Sequence, residues 1–143
     1  MWVFLFVSAA AFAQYGTIMD QAAAQGTLSV GVCIRLLGVC AGSIAPELGA
    51  ADARTSLARL GIRLPRTPDS DPITYGEFAY LLTQLYDRPG SFSLRLLAGP
   101  RTSFRDLQDR GLIPPAARAG FTISGADALL LQRRFLESMK ALP

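Results

Sequence analysis

Two segments of this chain align on each other without a gap at an offset of 50 residues, and that repeat constrains the fold more than any other feature. One runs Leu60-Gly61-Ile62, then Pro65, then Ile73-Thr74-Tyr75-Gly76-Glu77-Phe78-Ala79-Tyr80-Leu81-Leu82. The other runs Arg110-Gly111-Leu112, then Pro115, then Ile123-Ser124-Gly125-Ala126-Asp127-Ala128-Leu129-Leu130-Leu131. Upstream, Leu57 meets Leu107. A fainter copy, Leu28-Ser29-Val30-Gly31-Val32-Cys33-Ile34-Arg35-Leu36-Leu37, matches Ile73 to Leu82 at an offset of 45. Repeats on this scale are stacked supersecondary units, none of which buries its apolar face alone.

Each copy has a helix-start signal. Thr74 with Glu77, and Ser124 with Asp127, have the spacing of a capping box. There the hydroxyl accepts from a free backbone N–H of the first turn and the acid reaches back, close to the positive end of the helix dipole. Beyond each cap the apolar residues recur with the 3.6-residue period of a helix. Phe78, Leu81, Leu82, Leu85 and Tyr86 form one stripe, Ala128, Leu131, Phe135 and Leu136 another, and Cys33, Leu36, Leu37 and Cys40 a third.

A shorter helix precedes each of the two later capped helices. Pro46 suits the first turn of one, which continues through Ala53, Leu57 and Leu60. Ser103 with Asp106 offers a cap for the other, which carries Phe104 and Leu107. Gly61 and Gly111 fall where a helix end wants a left-handed residue. The expected fold class is therefore all-α: two or three helix-loop-helix repeats packed as one small helical domain, with units at about 14–45, 46–88 and 101–139. Asp87 to Arg101 is the connection between units, where Phe92, Leu94, Leu96 and Leu97 suit a short strand or helix.

The first thirteen residues, MWVFLFVSAAAFA, have no charged side chain and end in the small-x-small pattern Ala11-Phe12-Ala13. They read as a secretory signal peptide cleaved before Gln14, leaving 14–143 as the mature domain. Thirteen apolar residues fall short of the roughly 20 that span a bilayer, and no later segment is long and apolar enough to do so. The expected localisation is export to the periplasm or cell envelope, which makes nucleic acid an improbable partner.

The chemistry is sparse. The chain has no His, which removes Ser-His-Asp and Cys-His catalysis and all imidazole metal sites. There is no Gly-rich phosphate loop or nucleophile elbow, and the best-placed carboxylates, Glu77 and Asp127, are already assigned as caps. We expect no catalytic residues, no metal and no cofactor. Ile73 and Glu77 have the spacing of positions 8 and 12 of a calcium loop, but position 1 would be Arg66, position 3 Pro68 and position 6 Asp71, which do not suit it. Cys33 and Cys40 lie seven apart on one stripe. In an unbroken helix that is about 10 Å, too far for a bridge, whereas a helix ending at Gly38 would let Cys40 curl back. A disulfide, two buried thiols and intermolecular pairing all stay open. Lys+Arg number 14 against 11 Asp+Glu. Arg105, Arg110, Arg133 and Arg134 are candidates for an anionic-ligand surface, beside Arg88, Arg95, Arg101 and Arg118. Asp87, Asp106, Asp109, Asp127 and Glu137 are interspersed among them, as on an ordinary solvated face.

Ile73-Thr74-Tyr75-Gly76-Glu77-Phe78-Ala79 resembles the Ile-Thr-Arg-Ala-Glu-Phe/Ala signature of the S-layer homology (SLH) repeat, and Ser103-Phe104-Arg105-Asp106 with Gly111-Leu112-Ile113 is similar to the start of such a repeat. The chain is also similar to repeat-bearing envelope proteins of spirochaetes. The resemblance covers roughly 16–142 and implies a pseudo-threefold helical domain. In SLH proteins the Arg of the signature helps hold an anionic wall polysaccharide; here that position is Tyr75, Gly125 and, in the fainter copy, Val30. The scaffold signature is kept and the ligand signature is not. The expected role is a non-catalytic scaffold or interaction module at the cell wall or in the periplasm, with an envelope protein as partner. The alternative is a wall-anchoring module that recognises anionic polysaccharide or peptidoglycan.

Overall fold

The computed structural model describes residues 3–86 and 99–141. Among them, six helices account for the regular structure: α1 (Val3–Ala24), α2 (Val30–Cys40), α3 (Ala50–Arg59), α4 (Tyr75–Tyr86), α5 (Pro100–Asp109) and α6 (Gly125–Lys140). The fold is all-α. Among the described residues the only extended pairing is two isolated bridges, Ser29 with Pro72 and Thr74 with Thr122. The segment carrying Phe92, Leu94, Leu96 and Leu97 lies outside the described residues, as do Asp87, Arg88 and Arg95.

In chain order the helices form three units, α1–α2, α3–α4 and α5–α6. In space the second helix of each unit packs on the first helix of the next: α2 on α3, α4 on α5, and α6 back on α1, with α1 also against α2. The arrangement closes on itself. The reason lies in the stripes. Phe78, Leu81 and Leu82 of α4, Ala128, Leu131 and Phe135 of α6, and Cys33, Leu36 and Leu37 of α2 are all buried in one cluster with Leu57 of α3 and Leu107 of α5. Helix α1 contributes Ile18 and Ala22.

Three helices stop in the same way. Gly42, Gly61 and Gly111 have φ of 70°, 82° and 75°, the left-handed region where an L side chain is strained. Around Gly61 and Gly111 the next amides close the turn: Ile62 donates to Leu57 O at 3.1 Å and Leu112 to Leu107 O at 2.9 Å. At α2 Ser43 donates to Gly38 O at 2.9 Å. These are Schellman motifs, which satisfy carbonyls that the helix leaves orphaned.

The starts of the short helices differ from expectation. Pro46 lies before α3, at the second position of a turn closed by Leu48 N–H donating to Ala45 O, and the N-cap is Gly49. Ser103 is not a cap. Helix α5 begins a turn earlier, with Gly99 as N-cap and Pro100 in the first turn, so Ser103 is buried inside it. Gly49 and Gly99 are themselves 50 apart, which extends the repeat upstream and moves the unit starts from 46 and 101 to 49 and 99.

Helix α1 is continuous across the Ala13–Gln14 bond. Its C-terminal half is part of the core through Ile18 and Ala22, both beyond the expected cleavage point.

Candidate functional site

The three capped helices meet at a ring of backbone hydrogen bonds. Leu28 N–H donates to Ile123 O at 2.8 Å, Ile123 N–H to Ile73 O at 3.2 Å, and Ile73 N–H to Leu28 O at 2.9 Å. The three residues hold equivalent places in the three sequence copies, and all are fully buried. Burial explains the ring: a buried amide needs a partner, and here each unit supplies one to the next.

The caps lie one residue beyond the ring. Glu77 N–H donates to Thr74 Oγ1 at 3.2 Å and Thr74 N–H to Glu77 Oε2 at 3.4 Å, so this box is reciprocal. Asp127 N–H donates to Ser124 Oγ at 3.1 Å, but the Asp127 carboxylate turns to a neighbour instead of back. Ser29 accepts from Val32 N–H at 3.4 Å, and its own N–H goes to Gln25 Oε1 at 2.9 Å, so a residue before the helix does the work that Glu77 does in α4.

Next along are Val30, Tyr75 and Gly125, equivalent positions in the three copies. Val30 is fully buried. Tyr75 meets Phe104 edge-on, with ring centroids 6.3 Å apart, and its hydroxyl donates to Asp127 Oδ2 at 3.4 Å. Burial, then the Asp127 charge, raises the Tyr75 pKa above its ordinary value. At Gly125 a Cβ would lie 1.6 Å from Ala22 O, so the end of α1 forbids any side chain. All three positions are spent on packing between units. Beside Tyr75 a cavity of about 30 Å³ opens between Ile113, Pro114, Asp127, Leu131 and Arg134. That is room for water and not for a sugar ring.

The four candidate arginines are not gathered. Arg110 pairs with Asp106 at 3.0 Å and Arg133 with Glu137 at 3.1 Å, both one turn apart on their own helices. Arg134 lines the small cavity, and Arg105 is exposed on α5. Cys33 and Cys40 are free thiols in one unbroken helix that runs to Cys40 and is closed by the left-handed Gly42, not ended at Gly38. The intrachain disulfide is therefore corrected: seven helical residues separate the pair by about 10 Å, beyond bridging reach. Gly38 serves close packing instead, since a Cβ there would meet Ile44 Cδ1 at 2.8 Å. The Cys40 thiol donates to the Tyr15 hydroxyl at 3.4 Å. Among the described residues no three Cys, Asp or Glu side chains gather to hold a metal.

Several organising residues escaped sequence reasoning. Arg54 pins the loop after α3: Nη1 donates to Pro65 O at 2.6 Å, and Nη2 to Thr67 O at 3.1 Å and Asp69 Oδ1 at 2.7 Å. In the last unit the same loop is pinned by Gln108, whose Nε2 donates to Pro114 O at 3.0 Å and Ala117 O at 3.2 Å. Arg54 and Asp69 meet Phe104 and Ala119, and Gln108 meets Ala58, so no alignment of the copies could have disclosed either anchor. Gly31 and Gly76 could have been found, because they align. At Gly31 a Cβ would meet Asp69 Cβ at 2.9 Å, and at Gly76 Ala119 O at 3.2 Å.

A larger groove of about 480 Å³ runs between α1 and α6, lined by Tyr15, Met19, Leu129, Leu130, Leu136 and Lys140 among others. No family model matches the chain, and neither curated proteins nor solved structures yield a match.

Proposed function

We propose that this chain is a non-catalytic, exported envelope protein whose SLH-like units serve as a scaffold or interaction module at the cell wall or in the periplasm. One observation carries the reading. The three positions where the SLH signature keeps its ligand arginine are occupied by a buried Val30, a Tyr75 locked between Phe104 and Asp127, and a Gly125 covered by Ala22. A ring whose ligand positions serve packing between units suits a structural role. Export is supported by the uncharged leader and its small-x-small end at Ala11-Phe12-Ala13.

The glycan-binding alternative keeps one foothold: among the described residues Arg105 and Arg134 have no ion-pair partner. Calorimetry against wall fragments at two salt concentrations separates the readings. Distributed Arg charge would give weak binding that fades at physiological salt, where the Debye length is about 8 Å. Micromolar binding that ignores salt and survives replacement of Arg133 and Arg134 would overturn the scaffold reading. Export is tested by intact mass: exported material is expected to begin at Gln14, and a chain retaining Trp2 in the exported pool would sink that part.

A further inference from the structure

We propose that the face of α6 bearing Leu129, Leu130 and Arg133 is a docking surface for a short amphipathic helix of a partner protein, laid parallel to α6 as α3 lies on α2 and α5 on α4. The proposal rests on the reading of the chain as an interaction module and names the surface through which it acts. The repeat supplies the comparison. Gly31, Ile34, Arg35 and Gly38 of α2 meet Gly76, Ala79, Tyr80 and Thr83 of α4 at the offset of 45, and these meet Ala126, Leu129, Leu130 and Arg133 of α6 at the offset of 50. On α2 this face is covered by α3. A Cβ on Gly31 would meet Ala50 Cβ at 3.4 Å, and one on Gly38 would meet Leu57 Cδ1 at 3.4 Å. On α4 it is covered by α5. A Cβ on Gly76 would meet Pro100 Cβ at 3.3 Å, and Thr83 Oγ1 lies 3.2 Å from Ser103 Oγ. In both pairs early residues meet early residues, so the short helix runs in the direction of the long one.

The same face of α6 is open. Helix α1 closes the ring in the opposite sense: Ala22, near its end, lies against Gly125 at the start of α6, and Tyr15 shares a groove with Lys140 at the far end of α6. Ala126 and Arg133 are exposed and Leu130 is 44% exposed, whereas Gly31, Gly38 and Gly76 are buried. The groove of about 480 Å³ runs beside this face and has Leu129, Leu130 and Arg133 in its wall. The two covered faces show what such a surface takes. Helix α3 offers Ala50, Ala53 and Leu57 at i, i+3 and i+7, with Ala53 and Leu57 fully buried. An occupant of that pattern, parallel to α6, would set its small residues on Leu129 and Leu130. Its last carbonyls would then arrive toward Lys140, which has no ion-pair partner among the described residues. A helical side chain leans toward the N-terminus of its own helix, so the Lys140 ammonium is carried back toward those carbonyls. A cation is favourable at a helix C-terminus. Arg133 is already paired with Glu137, which leaves its stem as apolar surface.

A synthetic peptide of residues 49–62, blocked at both ends, is the probe. It is titrated into the isotopically labelled full-length chain and followed by amide chemical shifts. Saturable shifts are expected, centred on Ala126, Leu129, Leu130 and Arg133, with a Kd of about 1 mM, because a free peptide loses conformational freedom on binding. Leu130→Asp should weaken binding about tenfold, the effect of losing one buried leucine contact, with an unchanged thermal melt. Ala126→Gln, which fills the point where α2 and α4 have glycine, should weaken it likewise. No saturable shift at several times that concentration, shifts centred elsewhere, equal binding by a scrambled peptide, or undiminished binding to both variants would each overturn the proposal. A Leu130→Asp chain that melts earlier would show that Leu130 is already covered, and would overturn it too. The wall-fragment calorimetry stands apart: a chain that binds glycan tightly and also takes the peptide would sink the scaffold reading and keep this surface.

Discussion

The Ile123 amide donates to the Ile73 carbonyl at 3.2 Å, joining two residues that stand 50 apart in the chain at the same place in successive units. With Leu28 they form a closed ring, so no one unit owns the centre of the molecule. The three positions should then be energetically alike although their sequence contexts are not. Each is fully buried, and truncation of a buried Leu or Ile to Ala costs about 2–5 kcal/mol. Leu28→Ala, Ile73→Ala and Ile123→Ala are expected to fall together within that range in urea melts, the Leu28 variant included. A Leu28→Ala loss under about 1 kcal/mol would remove the first copy from the ring.

The end of α1 lies against the start of α6. A Cβ on Gly125 would lie 1.6 Å from Ala22 O and 3.0 Å from Gln25 O, and both obstacles are backbone. Gly125→Ala should therefore cost more than about 3 kcal/mol, in the range of severe core lesions. Gly120→Ala, five residues earlier and with nothing within 4 Å of its Cβ, should stay within about 0.5 kcal/mol of wild type. Thermal melts of the pair decide it; equal behaviour would mean that α1 does not seat against Gly125.

The caps can be ranked. Loss of a side-chain N-cap costs about 1 kcal/mol. Thr74→Ala and Ser124→Ala should each lose about that much, and Ser29→Ala should join them. Glu77→Ala should be destabilising as well, because Glu77 accepts from the Thr74 amide. Asp127→Ala should act differently. Its carboxylate faces Tyr75, so its effect should shrink in a Tyr75→Phe background while that of Glu77→Ala does not. A double-mutant cycle reads this coupling.

What was legible in the chain followed from local rules. The stripes of α4 and α6, the hydroxyl caps at 74 and 124 and the left-handed glycines at 61 and 111 each depend on a few consecutive residues, and the sequence copies place them in register. What was not legible depended on a choice between neighbours. Ser103-x-x-Asp106 has cap spacing, but Gly99-Pro100 starts the helix a turn sooner and leaves Ser103 to meet Thr83 Oγ1 at 3.2 Å. Gly38 looked like a helix end, but Gly42 takes that role, and only the approach of Ile44 explains Gly38. The glycine at position 125 needed tertiary knowledge altogether, since the obstacle to a side chain comes from α1, about a hundred residues away.

The two cysteines should differ sharply in reactivity. Cys33 is fully buried, and that burial, followed by the Glu77 charge, pushes its thiol pKa up. The thiolate is the reacting form, so a raised pKa and burial both slow labelling. Cys40 is only partly buried. Labelling of the native protein by a small thiol reagent, read by mass, should add one group quickly at Cys40 and a second one slowly at Cys33, with both fast in concentrated urea. A native chain that takes no label until reduced would show that the pair is oxidised.

Tyr15 provides a pH test of the seam between α1 and α2. The hydrogen bond that the Tyr15 hydroxyl shares with the Cys40 sulfur, and then partial burial, push its pKa up to about 12 from the ordinary 10.0. The folded state thus holds the phenol proton more tightly than the unfolded state. For an acid with a raised folded pKa, the associated stability is fully present below about pH 10 and is lost as pH climbs from 10 toward 12. Tyr75 and Tyr86 are also raised, chiefly by burial, and add to the same decline. Tyr15→Phe keeps the ring and removes the titration. Its melting temperature should therefore fall less steeply than that of wild type between pH 10 and pH 11.5, while the two curves run parallel from pH 7 to pH 9. Curves that stay parallel throughout would mean that the contact between Tyr15 and Cys40 contributes nothing to holding α1 against the domain.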